Sequence, residues 1–305
     1  MNKTSTTSSS IAQYPVSKQP VGASVGIPPR RVKFDFSKDT VPHYFFANSA
    51  FKSTFILAMS ATFPEGELLF VKSVKQFRDR ISDPKLKAEI AGFIGQEALH
   101  SQAHLAFDTA AEQHGFSLKK LERIHGDSMK FTWKLFSPKA RLAFTAGVEH
   151  LTAVLTELLL SDESILESMS PEVRHLFLWH SLEETKYKAV AYDVYQTIGG
   201  SYRTRVLMMV YGVIGFLGTS AIFQARLLAE DPRPFNLRDY VSGFNFLFGR
   251  KGKFLPMFPM LLDYFRPNFH PNQHNTDALL AKWREDLFGL EGLLTPQFPQ
   301  GQSVH

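Results

Sequence analysis

The most constraining stretch of the sequence is Gly95 to His104, GQEALHSQAH, where Glu97 and His100 form a Glu-x-x-His pair and His104 follows one turn later. On an α-helix, at about 100° per residue, these three side chains fall within roughly 60° of one another. The surrounding segment, AEIAGFIGQEALHSQAHLAFDTAAEQHG, has helical apolar spacing and stops at Gly115. A carboxylate and imidazoles on one buried helix face need a partner, and the usual one is a metal ion. A lone Glu-x-x-His is common on solvated helices, so the rest of the chain has to decide.

Three further helices supply acids at matching places. Ser49 to Ile81 reads as mostly helical, with Pro64 as a kink or restart, and sets Glu67 among Phe63, Leu68, Phe70 and Val71. Asp83-Pro84 opens the helix that carries Glu97 and His100. Leu118 to Phe136 reads as a linking helix of mixed charge without chemistry. Ser137-Pro138 opens a long helix whose buried-looking acid is Glu149, flanked by Phe144, Ala146, Val148, Leu151 and Val154. His150 is turned about 100° from it and is expected to face a neighbouring element. Pro171 opens a fourth long helix, expected to run to Gly199-Gly200, with His180, Glu184 and Tyr187 in one stripe and Glu183 at its edge.

Taken together, the order is Glu67, then Glu97 with His100, then Glu149, then Glu184 with His180. It matches the carboxylate-bridged dinuclear pattern of four-helix proteins. The chemistry requires such a set: two divalent ions carry four positive charges, which four glutamates neutralise while two imidazoles cap the outer positions. The same carboxylates buried without cations would repel one another. The expected ligands are therefore Glu67, Glu97, His100, Glu149, His180 and Glu184, with His104 a further candidate donor. The ions fitting these donors are Fe first, then Mn or Zn.

Composition narrows the alternatives. With no cysteine in 305 residues, thiolate metal sites, cysteine nucleophiles and disulfides are excluded. Four of the five net positive charges fall in residues 1–40, which leaves a near-neutral body. A basic arm of this kind suits an acidic surface such as lipid headgroups; nucleic acid is not an expected partner. The Ser-, Thr- and Pro-rich start reads as disordered to about Pro29 and lacks an apolar signal-peptide core, so a cytoplasmic protein is expected. Val206 to Ala225 runs twenty residues without a charge, with Gly212, Gly215 and Gly218 every three residues and Arg205 and Arg226 at its ends. It reads as a cover helix of a soluble bundle, with an embedded or interfacial helix as the membrane alternative. Beyond it, Phe254–Phe265 and Asp277–Phe288 read as short helices, DYFRPNFHP as a tight turn, His270 and His274 as loop residues, and the chain after Pro296 as loose. No strand-period alternation occurs.

The segments FPEGE, FIGQEALHSQAH, GVEHLTA, LWHSLEETKYKAVAYDVY and DYFRPNFHP resemble the bacterial family of predicted metal-dependent hydrolases, a ferritin-like group, over about Val32 to Leu287. The helix bearing His180 also resembles that of the di-iron arylamine N-oxygenases, whose pattern His-x-x-x-Glu-x-x-His implies His180 and Glu184 as ligands. Tyr187 stands where that pattern has its second histidine. It is therefore a phenolate ligand, a hydrogen-bonding catalytic residue with His180 supplying the imidazole, or the mark of a weakened second metal site; compensation by His180 is the favoured reading. The fold expected is all-α: a ferritin-like four-helix bundle (residues 32–200) after a disordered basic arm (1–31), with apolar C-terminal helices (201–295) packed on it.

Three functions follow as expectations. The first is a di-iron enzyme that activates dioxygen to oxidise an apolar, lipid-like substrate, with electrons from an external donor. The second is a dinuclear hydrolase of esters or amides. The third is a non-catalytic metal-binding or membrane-associated protein. A peripheral membrane contact and a homodimer both remain open as associations.

Overall fold

The computed structural model describes residues 29–297, apart from Pro234. The described residues are all-α, without a strand, and Phe46 and Met169 form an isolated antiparallel bridge. The helices are α1 (Ala50–Ser60), α2 (Phe63–Lys75), α3 (Pro84–Glu112), α4 (Leu118–Leu135), α5 (Pro138–Ser161), α6 (Glu163–Glu167), α7 (Pro171–Tyr187), α8 (Val190–Thr197), α9 (Tyr202–Glu230), α10 (Leu237–Phe248), α11 (Met257–Asp263) and α12 (Asp277–Phe288).

The helix starts obey local chemistry. Asp83 and Ser137 accept hydrogen bonds from the backbone N–H groups of Lys85 and Ala140, and Pro84, Pro138 and Pro171 occupy first-turn positions where no amide donor is needed. Gly115, at φ +99°, takes the chain out of the α3 end in a conformation that costs a residue with a Cβ. The continuous helix expected from Pro171 to Gly200 is instead broken between α7 and α8. At the break the Lys188 ammonium donates to the His274 carbonyl, 2.6 Å away, and to Thr276 Oγ1.

Helices α2, α3, α5 and α7 pack around the buried acids, with α4 against α2 and α3 and α9 laid along α5 and α1. Apolar packing closes both ends of this interior. One cluster gathers Phe45, Phe107, Leu176 and Trp179; another gathers Phe93, Leu142, Tyr187 and Tyr195. Only Gly212 of the glycine triplet makes a close approach: a Cβ there would lie 2.7 Å from Val148, whereas Gly215 and Gly218 face open space.

Three helical stretches are long and apolar enough to cross a membrane: residues 50–80, 138–161 and 202–230. The second is 94% buried within the bundle and the third 22%. Arg205, read from sequence as a flank of the apolar run, is buried at 1% exposure. It donates to the Arg266 carbonyl at 2.7 Å and to the Tyr192 hydroxyl, fastening the start of α9 to the DYFRPNFHP turn.

The expected disordered arm lies outside the described residues up to residue 28. At its end, Pro29 sits against Gly95, and Arg30 is 4% exposed. Arg30 has a buried counter-charge on α7, Glu183. Residues 298–305, expected to be loose, are likewise outside the described residues.

Candidate metal centre

All six expected ligands are buried: Glu67, Glu97, Glu149, Glu184, His100 and His180. Their donor atoms converge in overlapping groups, each within 4.8 Å: Glu67 with Glu97 and His100; Glu97 with Glu149 and Glu184; His100 with His180 and Glu184; and Glu67 with His104 and His180. His100 Nδ1 lies 3.5 Å and His180 Nε2 3.3 Å from Glu184 Oε1, and the two imidazoles stack with centroids 4.2 Å apart.

The surrounding residues hold these rings in place. His104 Nε2 lies 2.8 Å from His180 Nδ1, while His104 Nδ1 meets Ser60 Oγ at 2.9 Å. His104 thus orients His180 and leaves its Nε2 facing the carboxylates, as outer partners of metal-bound histidines do. Gln96 Nε2 meets His100 Nε2 at 3.1 Å, and Thr152 donates to Glu184 Oε2 at 3.3 Å. Phe63 packs edge-on against His104, with ring centroids 4.7 Å apart.

The donor set fits a metal. Both carboxylate oxygens of Glu67, Glu97 and Glu149, and Nδ1 of His100, have no hydrogen-bond partner. Buried carboxylate oxygens are normally satisfied by donors or cations, so six orphaned oxygens in one cluster call for a positive charge. Burial, with the charge of Glu184 and neighbouring acids, pushes Glu67, Glu97 and Glu149 well above the usual carboxylate range. Burial also opposes ionisation of Glu184, but the imidazoles of His100 and His180, whose nitrogens lie 3.5 and 3.3 Å from it, outweigh burial and hold this carboxyl down at about 2. Burial lowers His104, and it lowers His180 to about 4, leaving both neutral near pH 7 as ligation by nitrogen requires.

The fold adds to several sequence readings. Glu183, at the edge of the His180–Glu184–Tyr187 stripe, lies inside the protein. It is fully buried, and its Oε1 receives Arg30 Nη1 at 2.8 Å. His150 faces a neighbouring element as expected, and that element is α11 with the residue after it: His150 contacts the Met260 carbonyl through Nε2 at 3.1 Å and stacks on Tyr264. Helix α4 does carry site residues, since His125, Met129 and Thr132 line a cavity of about 240 Å³ that reaches Glu67 and Glu184. His270 and His274 pair with Asp193 and Asp263.

Tyr187 is 1% exposed and packs near Phe93, and its hydroxyl has no hydrogen-bond partner. Burial first, then the charge of Glu183, pushes the phenol far above its usual range, which disfavours phenolate. Asp108 continues the stripe Glu97–His100–His104 by one more turn and is fully buried beside Ser60 and Glu122.

No curated protein and no solved structure matches the chain. The family model described as predicted metal-dependent hydrolase matches residues 28–275, a span that includes every one of the converging donors. By that match over most of its length, the chain belongs to the predicted metal-dependent hydrolase family.

Proposed function

We propose that this chain is a dinuclear metal-dependent hydrolase acting on an ester or amide of an apolar substrate. The observation carrying the reading is the cluster of six unpartnered carboxylate oxygens of Glu67, Glu97 and Glu149 beside His100, His180 and Glu184. These six residues would hold two divalent ions, with His100 offering Nδ1 and His180 offering Nε2. Ions so held supply Lewis acidity and a water of lowered pKa.

The chain's own groups set the rest. The four glutamates neutralise the charge, Thr152 fixes one face of Glu184, and His104 fixes the His180 ring. The cavity that meets Glu67 and Glu184 is walled by Phe63, Phe70, Phe144 and Met129, so it selects an apolar chain and excludes water. His125 lines the same cavity with an unpartnered Nδ1, and burial lowers its imidazole to about 4. Burial thus keeps this imidazole uncharged, a polar group in the cavity wall able to hydrogen-bond a substrate placed there.

A second reading, iron-dependent dioxygen activation with an external electron donor, is favoured by one feature: this carboxylate-rich donor set is enclosed by aromatic side chains. Reconstitution of metal-depleted protein separates the two. With Zn(II) or Mn(II) and no oxygen, the chain is expected to bind metal and turn over medium-chain nitrophenyl esters, and Glu149→Ala is expected to lose both properties. Oxygen consumption after Fe(II) loading, without ester turnover, would replace hydrolysis by oxidation. Failure to bind any of these metals would defeat both.

A further inference from the structure

We infer that the outer face of α9, with α4 on one side and α11 on the other, seats on an anionic lipid bilayer and that the metal-site cavity opens onto that face. The inference rests on the reading above only in taking the cavity as the substrate site.

The apolar stripe comes first. Leu207, Ile214 and Leu217 on α9 are 64%, 67% and 53% exposed, and follow one another at helical spacing. Tyr211 of α9 meets Thr132 of α4 at 3.1 Å, so α4 borders the stripe with its own exposed Phe131. Val213 and Phe216 of α9 pack against the same buried cluster, Leu151, Val154, Leu155 and Met257, as Met260 and Leu261 of α11, so α11 lies on the other side, with Phe258 and Leu262 exposed. An apolar surface spread over three adjacent helices is larger than solvent normally meets.

The cavity then gives the face a purpose. Its lining runs from Glu67 and Glu184 through Met129 and Thr132 of α4 to Ile214 and Gly215 of α9. Ile214, two-thirds exposed, therefore belongs both to the cavity and to the outer stripe, and Gly215 leaves open space where a side chain would narrow the passage. An acyl chain leaving the stripe meets the carboxylates without crossing water.

Charge selects the occupant. Among the described residues from 201 to 262, the exposed ionic side chains are Arg203, Arg226, Arg233, Arg238, Arg250 and Lys251, of which Arg226 pairs with Glu230 and Arg233 with Asn48, and α4 adds exposed Lys119, Lys120, Arg123, Lys130 and Lys134 against one exposed acid, Asp127. A second copy docked on the same face would set two cationic surfaces against each other and cover the passage. Anionic headgroups complement them. The helix lies on the membrane and does not span it. Its inner side is held by the buried Arg205, by Met209 and Phe223, and by the bond from Gln224 Nε2 to the Phe51 carbonyl.

Flotation of the full chain with vesicles tests this, comparing phosphatidylcholine alone with phosphatidylcholine mixed with phosphatidylglycerol. The wild type is expected to float with both and about tenfold more tightly with the anionic mixture. The variant Leu207→Glu/Leu217→Glu/Phe258→Glu is expected to lose flotation while keeping wild-type metal content and turnover of a soluble ester. Absence of wild-type flotation, or unchanged flotation of the variant, overturns the proposal. So does a wild-type dimer that the variant dissociates without any vesicle binding, which would assign the face to a second copy. Flotation without ester turnover leaves this proposal standing and removes only the hydrolytic reading.

Discussion

Glu149→Gln should move stability in opposite directions with and without metal. Glu149 is 1% exposed, both its oxygens lack a partner, and its donor atom lies within 4.8 Å of those of Glu97 and Glu184. Two unit charges at 4.8 Å and an effective dielectric of about 20 repel by about 3.5 kcal/mol. Protonation relieves part of that repulsion in the metal-free protein, so an isosteric neutral amide is expected to stabilise it by about 1–2 kcal/mol, or about 2–8 °C in Tm.

The pH dependence has a definite sign. Folded Glu67, Glu97 and Glu149 hold protons that the unfolded chain releases above the ordinary value of 4.5. Metal-free stability should therefore fall as pH rises beyond that value, and fall less steeply in the variant, which has one such group fewer. Glu184 works the other way, its contribution fading only as pH drops toward about 2. Metal at a thousandfold excess over Kd should stabilise the wild type by about 4 kcal/mol, or about 8–16 °C, and the variant by much less. Scanning calorimetry with chelator and with Mn(II), alongside metal quantification, reads all three arms. A metal-free variant less stable than wild type, or one that keeps full metal, would refute the account of converging unpaired carboxylates.

The remaining tests are shorter. Arg30→Met should cost about 3–5 kcal/mol in urea unfolding because it leaves Glu183 buried and unpaired, and adding Glu183→Gln should restore much of the loss; equal costs for the single and double variants would refute a buried pair. Gly147→Ala puts a Cβ 2.8 Å from Met209 Cα and should cost about 1–3 kcal/mol, whereas Gly215→Ala, facing open space, should be neutral or stabilising by up to about 1 kcal/mol. The reverse order would mean that α5 and α9 do not meet as described. Tyr187→Phe removes a hydroxyl with no partner and should change stability by less than about 1 kcal/mol, and Tyr187→His should keep its metal because His180 already stands in the cluster; loss of metal in Tyr187→His would show that the phenol has a role of its own.

What could be read along the chain was whatever depends on neighbours three or four residues away. Helical periodicity places Glu97, His100 and His104 on one face, and the proline-opened turns at Pro84, Pro138 and Pro171 mark where those helices begin. The absence of cysteine by itself confines the donor set to oxygen and imidazole ligands. Periodicity failed where burial is decided by a partner far off in sequence. Glu183 lies inside because Arg30, 153 residues away, reaches it, and only packing names α11 as the neighbour that His150 was expected to face. Helix α4 joins the site because it borders the cavity beside α9, and Arg205 leaves the surface because the Arg266 turn folds over it. A helix specifies which side chains share a face, but only packing specifies what that face meets, since the free energy of burying a charge depends on the counter-charge brought to it.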